Sequence, residues 1–431
     1  MSRGQDHQST RNIVLSMLTA TLDEGAFSHL VLNRTLAEID TDPRNKAFIE
    51  RLFHGTLEQV IYLDWIISSY SSVKMNKIKP VIRNILRMSI YQILFMDSVP
   101  DHAAINEAVK LTKARGYQGL VPFVNGLLRA FQRGGVKPGM PENVKHSVPG
   151  WIYQKLVSDL GKKKADRYFD TVNQPKNEIY ARLVLSRAPK EEITGMLKED
   201  GCEVFEVPEI EEAVRIRKIG DLTGLEAYKQ GLIFIQDLSS IRVGHTAYQM
   251  TGEPDEVKKI LDVCAAPGGK SLHLAERFPQ AEVTARDLSE TKVGLINENI
   301  ERSRLTNIRA EVQDALVPDE SCFEAMDIVL ADLPCSGLGV IGRKPDIKLR
   351  LKEEDIEALA GLQRQILEVV RKYVKPGGLL LYSTCTVTRE ENRENAAWFE
   401  ENFPFRKLSE QLYLPGESEG DGFYLSVFRK E

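Results

Sequence analysis

The string KKILDVCAAPGGKSLHLAERF, residues 258–278, most narrows what this chain can fold into. An apolar strand, Lys259–Val263, runs straight into a glycine turn and then into a helical pattern. Glycine lets the backbone turn sharply and approach a ligand closely. The first N–H groups of the following helix, with its partial positive charge, suit an anionic group. Further short apolar strands are expected at Glu282–Ala285, Ile328–Ala331 and Gly378–Ser383, separated by helical patterns. Their near-continuous apolar character predicts a parallel sheet buried on both faces. The alternation predicts an α/β, doubly wound, Rossmann-like domain over residues 231–431. In such folds a carboxylate about 20 residues after the turn binds ribose hydroxyls. Asp287 stands 18 residues after Gly269, and Asp314 follows the next strand-like segment, where it could face an adenine. A glycine turn of this kind fits NAD, S-adenosylmethionine or no ligand at all. The turn itself reads A-A-P-G-G-K rather than G-x-G-x-x-G, which lowers the NAD reading.

Two more strings end strands of the same domain: Ile328-Val329-Leu330-Ala331-Asp332-Leu333-Pro334-Cys335-Ser336-Gly337 and Leu380-Leu381-Tyr382-Ser383-Thr384-Cys385-Thr386. Ligands of open α/β sheets bind at this edge. A lone cysteine is most often a small buried residue. Two of them, each closing a polar motif downstream of a cofactor turn, point instead to covalent catalysis. An activated thiolate adds to an electron-poor carbon, and a carboxylic acid such as Asp332 could donate the proton or strong hydrogen bond that the adduct needs. On this chemistry alone either cysteine could be the nucleophile. Cys264, inside the turn, is expected to meet the cofactor through its backbone, and Cys202 and Cys322 to be structural.

The string DVCAAPGGK, with D-L-P-C-S and S-T-C-T, resembles the NOL1/NOP2/Sun family of RNA cytosine-5 methyltransferases. The resemblance implies S-adenosylmethionine as cofactor, held by Cys264, Ala265, Ala266, Pro267, Gly268, Gly269 and Lys270 with Asp287, Asp314 and Asp332. It makes Cys385 the nucleophile and Cys335 the residue that assists product release, with Lys270 and Asp332 bordering the target base. Gly342–Lys348, GRKPDIK, resembles the family's R-x-P-D segment near the active site, where Arg343 and Lys348 could hold RNA phosphates. The ending EGDGFYLSVFRK resembles the family's last strand. Leu333, Thr386 and Arg286 depart from the usual residues without removing a reacting atom.

The rest of the chain reads differently. Residues 1–140 carry helical periodicity, with a long pattern from Ala47 to Ile67 interrupted or bent at Gly55, and Gly- and Pro-rich residues 134–143 read as a linker. Residues 149–230 read as a small α+β module. The net charge of −5 conceals an asymmetry: residues 1–150 hold 18 Lys and Arg against 13 Asp and Glu. Between Trp65 and Met96 there is no acid, but Lys74, Lys77, Lys79, Arg83 and Arg87 are present. Such a patch is either a solvated helical face or the footprint of a polyanion.

RLFHGTLE, YQILFMDSVPDHAAINEAVKLTK and FVNGLLRAFQR resemble the NusB-like RNA-binding fold. A NusB-like module ahead of this methyltransferase domain is the layout of the bacterial members that methylate one cytosine of 16S ribosomal RNA. The expected partner is therefore 16S rRNA, with tRNA or 23S rRNA as the alternative substrate and a non-catalytic RNA-binding or antitermination factor as the alternative class. No apolar run of about 18 residues is present and the N-terminus lacks a signal-peptide core, so a cytoplasmic protein without membrane contact is expected. Five scattered cysteines argue against disulfides and against a structural zinc site; no metal is expected, and a monomer is.

Overall fold

The computed structural model describes residues 9–174, 178–220 and 222–431. The chain forms two compact units, Met1–Lys155 with Ile341–Arg350, and Leu156–Val340 with Leu351–Glu431.

The first unit is helical. Helices Thr10–Leu22, Pro43–Glu58, Val60–Tyr70, Pro80–Phe95, Asp101–Ala114 and Val121–Gly134 surround a core that includes Leu18, Ile49, Phe53, Ile66, Ile85, Leu86 and Phe131. Asp42 caps Pro43–Glu58 by accepting from the Asn45 N–H at 2.9 Å. The expected bend at Gly55 is absent: the long pattern breaks at Gln59. Gly55 serves packing, since a Cβ there would lie 1.9 Å from Tyr91 Oη on Pro80–Phe95. Residues Ile341–Arg350, which include the Gly342–Lys348 segment expected near the active site, pack within this helical unit. Asp346 accepts from the Ser28 hydroxyl at 2.8 Å, and buried Lys348 donates to the Glu58 carbonyl at 2.7 Å. Lys348 is therefore not a phosphate-facing charge; burial pulls its ammonium down to about 8. Arg343 is exposed.

The second unit holds two sheets. β1 (Glu178–Leu183), β2 (Glu203–Glu206), β3 (Ala213–Arg217) and β4 (Ile233–Ile235) form an antiparallel sheet in the order β2-β3-β1-β4. By sequence, residues 233–235 fall within the expected 231–431 domain; pairing with Ala181–Leu183 puts β4 in the small sheet.

The larger sheet contains β5 (Lys259–Asp262), β6 (Glu282–Asp287), β7 (Ile308–Val312), β8 (Met326–Asp332), β9 (Val374–Thr384), β10 (Phe405–Tyr413) and β11 (Phe423–Lys430). Its order is β10-β11-β9-β8-β5-β6-β7, parallel from β9 to β7, with antiparallel β11 and β10 at one edge. Alternation divides its side chains between two cores. Ile260, Val283, Ile328, Leu330 and Leu381 pack with Leu272 and Ile296 on one face. Leu261, Val329, Ala331, Leu380 and Tyr382 pack with Ile366, Leu367 and Phe399 on the other. Burial on both faces explains the near-continuous apolar strands. No described helix is long and apolar enough to cross a membrane.

Candidate active site

The carboxyl ends of β5, β6, β7, β8 and β9 lie side by side along one edge, and each carries a polar residue singled out by sequence or its close neighbour. At the end of β5, buried Asp262 accepts from the Ser271 hydroxyl at 2.6 Å and from the Cys264 N–H at 3.4 Å. It thereby ties the start of the turn to the helix Gly269–Arg277 that follows it. Burial raises the Asp262 carboxyl to about 7, against the opposing hydrogen bond from Ser271. Gly268 has φ +99°, and a Cβ there would lie 3.1 Å from Ile296 Cγ2, so only glycine makes this turn. Burial, with the charges of Asp262, Asp287 and Asp332, pushes the Cys264 thiol far up, so it stays protonated.

Asp287, at the end of β6, accepts from the Ala266 N–H at 2.9 Å and the Leu288 N–H at 2.8 Å, with Lys292 Nζ at 2.9 Å. Asp314 accepts from the Leu316 N–H at 2.9 Å just beyond β7. Exposed Leu288 and Leu316 adjoin these two carboxylates in sequence. Carboxylates for hydroxyl and ammonium groups, apolar surface for a base and a helix start for a carboxylate together fit a nucleoside carrying an amino acid.

At the end of β8, Asp332 accepts from Lys270 Nζ at 2.7 Å and from the Ser383 hydroxyl at 2.7 Å. Both of these hydrogen bonds are accepted by the Asp332 carboxylate. Burial would lower the Lys270 ammonium, but Asp332, Cys385 and Asp262 outweigh it and raise it. The cation that donates in this corner is Lys270.

Cys335 and Cys385 follow the adjacent strands β8 and β9, and their Sγ atoms are 3.3 Å apart. The hydrogen bond with Cys385, burial and the charges of Cys385 and Glu391 push the Cys335 thiol well above its ordinary range. Cys385 is among the groups that favour the Lys270 cation, and Glu391 is among those that raise the Cys335 thiol.

These loops, turn and strands resemble known proteins. Residues 249–429 match the family described as 16S rRNA methyltransferase RsmB/F, and residues 8–133 match the NusB family. The "Probable ribosomal RNA small subunit methyltransferase B" of Bacillus subtilis (strain 168) is 34% identical over 98% of this chain and 99% of its own length. The chain belongs to the RsmB/F methyltransferase family. A second RsmB/F relative, the "Ribosomal RNA small subunit methyltransferase B" of Klebsiella pneumoniae (strain ATCC 700721 / MGH 78578), is 32% identical over 90% of both chains. The same fold occurs in the crystal structure of PH0851 (TM-score 0.82, 24% identity, all of both chains). It occurs again in NSun6 from Pyrococcus horikoshii with SFG (TM-score 0.57, 20% identity, 65% of this chain and 98% of that one).

Within this RsmB/F chain, the expected turn, carboxylates and cysteines all come to one sheet edge. The expected basic patch is only partly a surface. Lys74, Lys77 and Lys79 are exposed. Arg87 is buried and meets both oxygens of Asp64, at 2.6 and 2.7 Å, and Arg83 pairs with Asp23 at 3.1 Å. A buried arginine so paired is a packing element, so Arg87 does not present its charge to RNA. Sequence reasoning missed Asp262, Ser383, Gln363, Glu391 and Asn392. Ser383 stands two residues before Cys385 in the strand motif. Glu391 and Asn392 lay just beyond S-T-C-T, with only their polarity as a signal.

Proposed function

We propose that this RsmB/F-family chain transfers a methyl group from S-adenosylmethionine to carbon 5 of a cytosine in 16S rRNA through a cysteine–cytosine adduct. The observation that carries this reading is the pair of thiols 3.3 Å apart beside the Lys270–Asp332 ion pair. Residues Cys264–Lys270, Asp287, Asp314 and Asp332 would hold the cofactor, whose sulfonium supplies the methyl group. Cys385 thiolate adds to carbon 6, and the ring's electrons move toward nitrogen 3, where Lys270 donates a hydrogen bond. Carbon 5 then takes the methyl group, loses its proton to a base, and the returning electron pair expels Cys385 as thiolate. Cys335, 3.3 Å from Cys385, would assist that release step.

The basic helical module would dock RNA, because phosphate contacts position without choosing sequence. The curated relatives' names favour small-subunit rRNA over tRNA or 23S rRNA. The chemistry requires an unstacked base, at a cost of about a few kcal/mol unless it lies in a loop. The cytoplasm is the compartment where such RNA is made and modified.

The test is methyl transfer from labelled S-adenosylmethionine to protein-free 16S rRNA, 23S rRNA and tRNA, with the product nucleoside identified by mass. Label as 5-methylcytosine in 16S rRNA alone is expected; label only in another RNA would overturn the substrate. Cys335→Ala should accumulate a covalent RNA adduct that a further Cys385→Ala change abolishes. The opposite pattern would exchange the two roles.

A further inference from the structure

The residues that follow the two cysteines converge on one buried carboxylate. Glu391 is fully buried, in the single π-helical turn Glu390–Glu394 between β9 and the helix Asn395–Asn402. Its Oε1 accepts from the Ser336 N–H at 2.8 Å and from Gln363 Nε2 at 3.2 Å. Its Oε2 accepts from the Ser336 hydroxyl at 2.5 Å and from the Thr388 hydroxyl at 2.7 Å. Ser336 and Thr386, the residues directly after Cys335 and Cys385, share a hydrogen bond of 2.7 Å. Gln363 Nε2 also donates to the Pro334 carbonyl at 3.0 Å, the residue before Cys335. Asn392, the next residue of the π turn, accepts from the Thr384 hydroxyl at 2.5 Å and donates to the Thr386 carbonyl at 3.0 Å.

Three features set this apart from ordinary burial of a polar group. Burying a carboxylate without a cation is costly, and among the described residues no cation pairs with Glu391. Four donors converge on it, and a carboxylate's two oxygens accept all four where an amide would turn its own donors against them. The held groups, finally, are the backbone and hydroxyls flanking the two thiols rather than remote core. Single π turns are frequent at functional sites.

We propose that Glu391 is a positioning residue of the methyl-transfer site, locking the segment after Cys335 to the segment after Cys385 through Ser336, Thr386 and Thr388 and so setting the separation of the two thiols. The inference rests on the methyl-transfer reading above and deepens it. The bridge needs the Thr386 hydroxyl, which serine could also supply. Glu391 touches no reacting atom. It acts through Cys335, whose thiol its charge helps keep protonated.

The experiment compares wild type, Cys335→Ala, Glu391→Gln, Thr386→Val and Thr386→Ser with labelled S-adenosylmethionine and 16S rRNA. It measures kcat, KM for both substrates, melting temperature and the fraction of protein carrying covalent RNA. For Glu391→Gln the expected result is kcat lower by at least tenfold, KM values within threefold of wild type, and adduct of at least half the Cys335→Ala level. Wild-type kcat, or lost kcat without adduct, would overturn the proposal. Should Glu391→Gln fail to melt cooperatively, the threonine pair decides. Thr386→Ser should turn over at least tenfold faster than Thr386→Val, and equal rates would overturn it. A wild-type protein that methylates no RNA would sink the methyl-transfer reading alone. The positioning role is then read from the oxidation of Cys335 and Cys385 by diamide, which takes two electrons and two protons from the thiol pair as their disulfide forms. Disulfide formation in Glu391→Gln, followed by peptide mass, should be at least fivefold slower than in wild type, and an equal rate would overturn the proposal.

Discussion

Arg286 and Asp287 are neighbours in β6 and face opposite ways, as successive strand residues must. Asp287 turns to the cofactor loop through the Ala266 N–H. Arg286 turns to Glu311 and Asp319, each at 2.7 Å, and burial fails to offset these acids, so its charge is secured. Sequence adjacency hides the pleat that sends these two side chains to opposite faces. Replacing Arg286 with Leu should cost about 1–3 kcal/mol of stability by stranding two acids. Cofactor affinity should stay within threefold, by calorimetry. A larger loss of affinity would mean that the two faces of β6 are not independent. Asp332 teaches the converse. Its position was legible, but its role as acceptor from Lys270 and Ser383 emerged only when three strand ends were brought together.

Among elements, the strands and turn of the larger sheet were largely legible, because burial on both faces writes long apolar runs into the sequence. Close approaches were not. Gly339 N–H donates to the Cys385 carbonyl at 3.0 Å, and its carbonyl accepts from the Gly422 N–H at 2.9 Å. A Cβ on Gly339 would lie 2.0 Å from the Gly422 carbonyl oxygen and 2.7 Å from that of Cys385. Backbone on both sides leaves no flexible atom to yield. Gly339→Ala should therefore lose at least 1–3 kcal/mol of stability and at least tenfold in kcat, by denaturant titration and methyl-transfer assay. Retained activity would show that the loops after the two strands tolerate separation. Gly55 is a similar case in the helical unit: read as a bend, it is the contact point for Tyr91.

At the scale of the molecule, the small sheet joins the catalytic sheet through buried polar groups. Fully buried Arg182 on β1 pairs with Glu276 on Gly269–Arg277. Buried His273, on the same helix, donates to Glu212 Oε1 at 3.1 Å. Burial would raise the Glu212 carboxyl, but hydrogen bonds from His245 and His273 hold it far below its usual range. Burial lowers His273 to about 4 from its ordinary 6.5. The unfolded chain then binds the proton first, so stability present above pH 6.5 is lost as pH falls toward 4. The loss should be about 2 kcal/mol by pH 5 and smaller in His273→Gln, by chemical denaturation at several pH values; equal slopes would exclude His273 as the group. In the helical unit, reversing Lys74, Lys77 and Lys79 to Glu should raise KM for RNA and flatten its salt dependence, since each lost phosphate contact removes about one unit of slope. Unchanged salt dependence would remove this surface from RNA docking. The sequence by itself determined the order of modules, the parallel sheet, the cofactor turn and the two cysteine-ended strands, because each is written in local periodicity or in contiguous motifs. Only the tertiary structure decided that Arg87 and Lys348 are packing residues, that Ile233–Ile235 joins the small sheet, and that Glu391 underlies both thiols. Those outcomes depend on which distant groups share a buried volume, a property that no stretch of neighbouring residues encodes.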